Sequence, residues 1–107
     1  MAKNPRFTPT FAPEALEHLD GIERKYHTLL QREVDEQLSF EPDVATRNRK
    51  PLEQPAPFGA AWELRCGPQN RFRVFYDVDA RAITVTILAF GVKVGNRLFF
   101  GGEEFQP

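Results

Sequence analysis

Three short runs between residues 61 and 90, each alternating apolar with polar side chains, constrain the fold of this chain more than any other feature. Ala61 to Arg65 sets Trp62 and Leu64 against Glu63 and Arg65. Phe72 to Val78 sets Phe72, Val74 and Tyr76 against Arg71, Arg73 and Phe75. Ala82 to Phe90 sets Ile83, Val85 and Ile87 against Thr84, Thr86, Leu88 and Phe90. Successive side chains of a strand point to opposite faces, so this period of two predicts three strands buried on one face. Gly67, Pro68, Gln69 and Asn70 form one connection and Asp79 to Arg81 the next. Connections this short join antiparallel neighbours, hence a meander. Its apolar face needs a cover. Its other face would show Arg65, Arg71, Arg73, Phe75, Thr84, Thr86, Leu88 and Phe90, which are groups suited to phosphate contacts and base stacking.

The cover lies earlier in the chain. Arg6 to Phe11 reads as a short strand anchored by Phe7 and Phe11, held to a sheet edge by Pro9. Pro13 sits where helices start, with Glu14 in the first turn, and Ala15, Leu16, Leu19 and Ile22 share one helical face. Gly21 marks a stop or kink. Glu23 to Phe40 reads as a second helix, with Tyr26, Leu29, Leu30, Val34 and Leu38 inward and Arg24, Lys25, Arg32, Asp35 and Glu36 outward. Residues 41–60 hold Pro42, Pro51, Pro55, Pro57 and Gly59 and read as a long loop, the kind that is often functional. Gly91 ends the third strand, and Asn96 to Phe100 forms a further short one. The expected fold is therefore α+β: an N-terminal strand, then a helical hairpin packed on one face of an antiparallel sheet of three to four strands. At 107 residues the chain is expected to be a single domain, residues 1–107.

Charge is unevenly placed. The formal net charge of −1 argues against a nucleic-acid ligand until it is divided along the chain. Residues 1–44 carry −4, residues 45–76 carry +4 and residues 77–107 carry −1. The basic segment spans the long loop and the first two meander strands. Cys66 is the single cysteine, which excludes an internal disulfide, and with His18 and His27 at no ligand spacing it argues against a metal site. No cofactor is implied. The sequence shows no membrane-length apolar run and no signal-peptide pattern, so the expected location is cytoplasmic.

Arg73 is the first candidate for chemistry. It is expected mid-strand, away from the helices, beside Arg65, and guanidinium groups grip phosphate in a fork and stabilise charge that grows during phosphoryl transfer. The alternative for Arg73 is a cross-strand pair with Glu63. Arg47, Arg49 and Lys50 form a basic loop group able to steer an anionic partner, and Arg71 precedes the second strand. Lys93 follows the third strand, where an ammonium can reach a bound phosphate. Tyr76 is a remote candidate for proton transfer. His18 and His27 are assigned to surface or boundary roles, and Cys66 has no histidine placed to activate it.

Several segments carry a resemblance: Lys50-Pro51-Leu52, Trp62-Glu63-Leu64-Arg65, Arg71-Phe72-Arg73-Val74-Phe75-Tyr76, Ile87-Leu88-Ala89-Phe90-Gly91-Val92-Lys93 and Gly101-Gly102-Glu103-Glu104-Phe105. In these, and in the order strand, two helices, meander, the chain from Phe7 to Phe105 resembles the RelE/ParE superfamily of bacterial toxins. The resemblance implies a cytoplasmic toxin neutralised by a cognate antitoxin. RelE-like members cut mRNA on the ribosome, without metal, by attack of a 2′-hydroxyl on the adjacent phosphate, whereas ParE-like members inhibit DNA gyrase and perform no chemistry. The family's sheet-face arginine matches Arg73, and its cation after the last long strand matches Lys93. The chain departs from the nuclease branch at Ala61 and Glu63, where that branch has lysines, and at Phe99, where it has a tyrosine. Three readings follow: an endoribonuclease (mRNA interferase), a binding toxin of the gyrase-inhibitor type, and a non-toxic RNA- or protein-binding module that keeps the fold.

Overall fold

The computed structural model describes residues 4–107. It is an α+β fold with the expected order. Strand β1 (Thr8–Phe11) leads into α1 (Pro13–Asp20), a single turn of 3₁₀ helix (Arg24–Tyr26) and α2 (His27–Leu38). Then come β2 (Arg49–Pro51), β3 (Trp62–Cys66), β4 (Phe72–Asp79), β5 (Thr84–Val94), β6 (Arg97–Phe100) and β7 (Glu103–Glu104). No helix among the described residues is long and apolar enough to cross a membrane.

The sheet is wider than the three to four strands expected: seven strands, in the order β2-β3-β4-β5-β6-β7, with β1 added alongside β5. The extra width comes from β1, which joins the same sheet, and from two very short edge strands, β2 within the proline-rich loop and β7 in the tail, too brief to leave a periodicity. Strand β5 is the spine. One edge pairs with β4 throughout, while the other pairs with β1 in parallel from Thr84 to Ile87 and with β6 antiparallel from Gly91 to Val94. Gly91 does not end the strand. A Cβ there would lie 3.0 Å from Leu98 and from Phe100, so its bare backbone lets β6 side chains cross over β5.

The hairpin covers one face. Leu30, Val34 and Leu38 of α2 are buried against Leu64, Val74, Tyr76, Val85 and Ile87, each such side chain contributing roughly 1.5–3 kcal/mol. Cys66 lies in this core, where burial pushes its thiol up to about 12. On α1 the buried positions are Ala15 and His18, whereas Leu16, expected inward, is 52% exposed at the margin of the short helix. Gly21 ends α1 at φ −87°, so its need is steric: a Cβ would sit 2.8 Å from the Gly101 carbonyl carbon. His27 Nε2 lies 2.8 Å from the Leu19 carbonyl oxygen and 2.9 Å from that of Ile22, tying the two helices at their junction.

A bulge changes the face assignment. Between Phe75 and Tyr76 the register with β5 slips by one, leaving Leu88 as an extra residue. Beyond it the parity of β5 inverts. Phe90, expected on the outer face, is buried among the helix-side residues and stacks on Phe11. Ile83, expected inward, is exposed in a turn at φ 55°.

Candidate functional site: a cationic pocket at one end of the sheet

The outer face is not the open surface that alternation suggests. Phe75 does point outward, but it is buried in a second cluster with Ala60, Ala89 and Phe100, flanked by Leu52, Leu88, Leu98 and Phe105. The segment 52–60 and the C-terminal tail therefore cover the middle of this face. His18 is buried at the seam. Its ring lies 5.2 Å from both Phe58 and Phe100, its Nδ1 accepts the Phe90 N–H at 3.3 Å, and burial lowers its pKa. The expected surface or boundary role for His18 is thus corrected to a packed, neutral ring joining α1 to the bulged strand.

What stays open is the end of the sheet where β4 begins and β5 finishes. There Arg71, Arg73 and Lys93 line a polar pocket of about 320 Å³ with Gln69, Asn70 and Gly95. Pairing in the sheet brings these cations together, since Phe72 faces Val92, Arg73 faces Gly91 and the Lys93 N–H donates to the Arg71 carbonyl at 2.7 Å. The β3–β4 turn is tightly wound. Gly67, Gln69 and Asn70 all have positive φ (80°, 56° and 52°), uncommon for the two amide residues, and this conformation brings both to the pocket wall. A Cβ on Gly67 would lie 2.4 Å from the Phe72 ring, which fixes glycine there.

Each cation is held differently. The Arg71 guanidinium carbon lies 5.3 Å from the ring centroids of both Tyr26 and Phe72, a cation–π seat that orients it without neutralising it. Arg73 donates through Nε to the Asn70 carbonyl at 3.1 Å, and its Nη1 lies 3.5 Å from Glu63 Oε2. Arg65 sits directly opposite Arg73 on β3, with Nε 3.5 Å from Glu63 Oε1. Lys93 makes no ion pair among the described residues. The pocket thus presents three cations, one of them partly balanced by a carboxylate that is only 7% exposed. Planar forks and an ammonium around a cavity of this size suit phosphate oxygens.

The other candidates separate from this group. Arg47 is exposed in the loop before β2, and Lys50 is exposed on β2 opposite Glu63, on the flank of the pocket's face. Arg49, expected with them as an RNA contact, is buried; its Nε donates to the Val44 carbonyl at 3.1 Å and its Nη1 to the Gln37 carbonyl, tying the loop to the end of α2. Tyr76, considered for proton transfer, is on the helix-side face and fully buried; its hydroxyl donates to the Pro42 carbonyl at 2.7 Å, and burial raises its pKa. Alternation alone put Tyr76 on the face opposite Arg73. Sequence reasoning takes Gln69 and Asn70 as turn residues and does not single out Gly95; the Gly-Pro-Gln-Asn turn beside two arginines is the one signal that pointed to this wall.

The fold matches a chain of the toxin–antitoxin complex RelBE2 from Mycobacterium tuberculosis. The match has a TM-score of 0.70 at 24% identity and covers 87% of this chain and 98% of that one. It agrees with the architecture that the resemblance to the RelE/ParE superfamily implied. No family model and no curated protein matches the chain.

Proposed function

We infer that this chain is the toxin of a toxin–antitoxin pair and that it engages the phosphodiester backbone of RNA at the Arg71–Arg73–Lys93 pocket. The observation that carries the reading is the convergence of these three cations, lined by two amide side chains, on a fold shared with a chain of the RelBE2 complex. The reaction class is endoribonucleolytic cleavage of mRNA on the ribosome. The 2′-hydroxyl oxygen, releasing its proton to solvent water, bonds to the adjacent phosphorus as the bond to the 5′-oxygen breaks. Arg73 stabilises the charge on the non-bridging oxygens, Arg71 and Arg65 hold flanking phosphate, and the Lys93 ammonium protonates the departing 5′-oxygen. Arg47 and Lys50 extend the positive strip along which a strand could lie. The partner is a cognate antitoxin, and the site of action is the cytoplasm.

Two features favour a second reading, a non-enzymatic inhibitor of a protein such as DNA gyrase. Glu63 takes up part of the positive charge where a nuclease gains from more of it, and Tyr76 is withdrawn into the core. Induced expression of the chain without an antitoxin, with mapping of mRNA 5′ ends and a gyrase supercoiling assay, separates the two. A nuclease gives growth arrest with new mRNA ends; Arg73→Ala lowers the cleavage rate on the order of 10²–10³-fold and relieves the arrest. Arrest with intact mRNA and blocked supercoiling selects the inhibitor. Cleavage and arrest undiminished in Arg73→Ala would overturn the proposed role of the pocket.

A further inference from the structure

Glu63 lies between two arginines of the same sheet face. Arg65 and Arg73 are directly opposed across β3 and β4, and like charges in that position repel. Glu63, two residues before Arg65 and on the same face, places one carboxylate oxygen 3.5 Å from each arginine. Both distances exceed the 2.7–2.9 Å of a tight charge-assisted hydrogen bond. The Arg65 Nε is buried and has no hydrogen-bond partner among the described residues. The shared carboxylate therefore relieves the repulsion while saturating neither guanidinium. Its two oxygens face the two guanidinium groups, one each.

We propose that Glu63 determines the selectivity of the pocket by acting as a tethered anion on Arg65 and Arg73 that a phosphate ligand must displace or outweigh. The proposal rests on the pocket taking phosphate, as argued above. A free orthophosphate competes poorly, because the carboxylate is attached and always present at its site. A strand with successive phosphates meets Arg71 and Lys93 as well, which Glu63 does not touch, and these extra contacts tip the exchange. The pocket accordingly takes polyanionic strands and rejects small phosphate ions. Glu63 is a positioning residue here, acting through the two arginines.

The test compares the native chain with Glu63→Gln in thermal melts and in binding titrations, at ionic strength held constant with sodium chloride. The probes are orthophosphate and a short RNA oligonucleotide. The native chain is expected to be stabilised by the oligonucleotide and not by orthophosphate. Glu63→Gln is expected to melt lower on its own, to recover with orthophosphate, and to bind the oligonucleotide about tenfold more tightly, the order expected for removing one charge close to the ligand at a partly screened site. Glu63→Asp, which keeps the charge, should restore the native selectivity. A purely structural Glu63 would lower the melting point without changing which anion restores it. If Glu63→Gln does not fold, Arg65→Gln with and without Glu63→Gln supports the same comparison, because the opposed charges are then gone, and only the double variant should gain orthophosphate binding. Equal responses of native and variant proteins overturn the role of Glu63 and leave the phosphate pocket standing. No response of any variant to either probe overturns both.

Discussion

Replacing Tyr76 with Phe removes one oxygen atom and separates a structural tyrosine from a catalytic one. The ring stays, so the apolar burial and the stacking on Trp62, at 6.2 Å between centroids, are retained and no cavity opens. What is lost is the 2.7 Å hydrogen bond to the Pro42 carbonyl, which lies in a fully buried residue just after α2. A buried hydrogen bond contributes about 1 kcal/mol net, and leaving its acceptor unsatisfied in a dry site raises the cost to about 1–3 kcal/mol. For a domain of this size each kcal/mol lowers Tm by roughly 4–8 °C. Trp62 is the single tryptophan and stacks on the altered ring, so its fluorescence reports unfolding in a urea titration. The midpoint is expected to fall with an unchanged slope, since the surface exposed on unfolding is the same. Growth arrest and RNA binding should match the native chain wherever both proteins are folded. An unchanged midpoint together with lost RNA cleavage would refute this assignment and return Tyr76 to the reaction.

Two further outcomes test the packing of α1 against the covering segment and the C-terminal tail. Burial holds His18 below its ordinary 6.5, so the unfolded chain takes up the proton more readily than the folded one. Stability is then complete above about pH 6.5 and falls as the pH drops through and below that value; His18→Asn, which keeps an acceptor for the Phe90 N–H and cannot titrate, should show a shallower decline between pH 7 and 5 in urea titrations at stepped pH. Gly21→Ala drives a methyl to within 2.8–2.9 Å of the Gly101 backbone; overpacking of about 1–3 kcal/mol outweighs the 0.4–1 kcal/mol that alanine gains through the unfolded state, and calorimetry should register a lower Tm.

The face assignment of β3 and β4 was legible from alternation alone. Leu64, Val74 and Tyr76 face the helices, and Glu63, Arg65, Arg73 and Phe75 face away. The Arg73–Glu63 pair was also foreseeable, since residues of equal parity on adjacent strands share a face. Beyond Leu88 the same reasoning failed, because a bulge adds one residue and inverts everything after it, which carried Phe90 inward. The exposure of the outer face was misjudged for another reason. Residues 52–60 read as a loop by their prolines, and nothing local says that a loop will fold back over Phe75.

The sequence by itself determined the helical hairpin, the meander and the sign of charge on each strand face, because these follow from side-chain periods of 3.6 and 2 within single elements. Only the tertiary structure decided which cations act together. Arg71 and Lys93 are 22 positions apart in sequence, and they meet because the β4–β5 register ends with Phe72 opposite Val92. Tertiary contacts likewise withdrew Arg49 to the carbonyls of Gln37 and Val44 and Tyr76 to that of Pro42. A charged or hydroxylated side chain reads the same in a sequence whether it satisfies a buried carbonyl or waits for a ligand. The difference lies in which backbone groups the fold leaves in need of a donor.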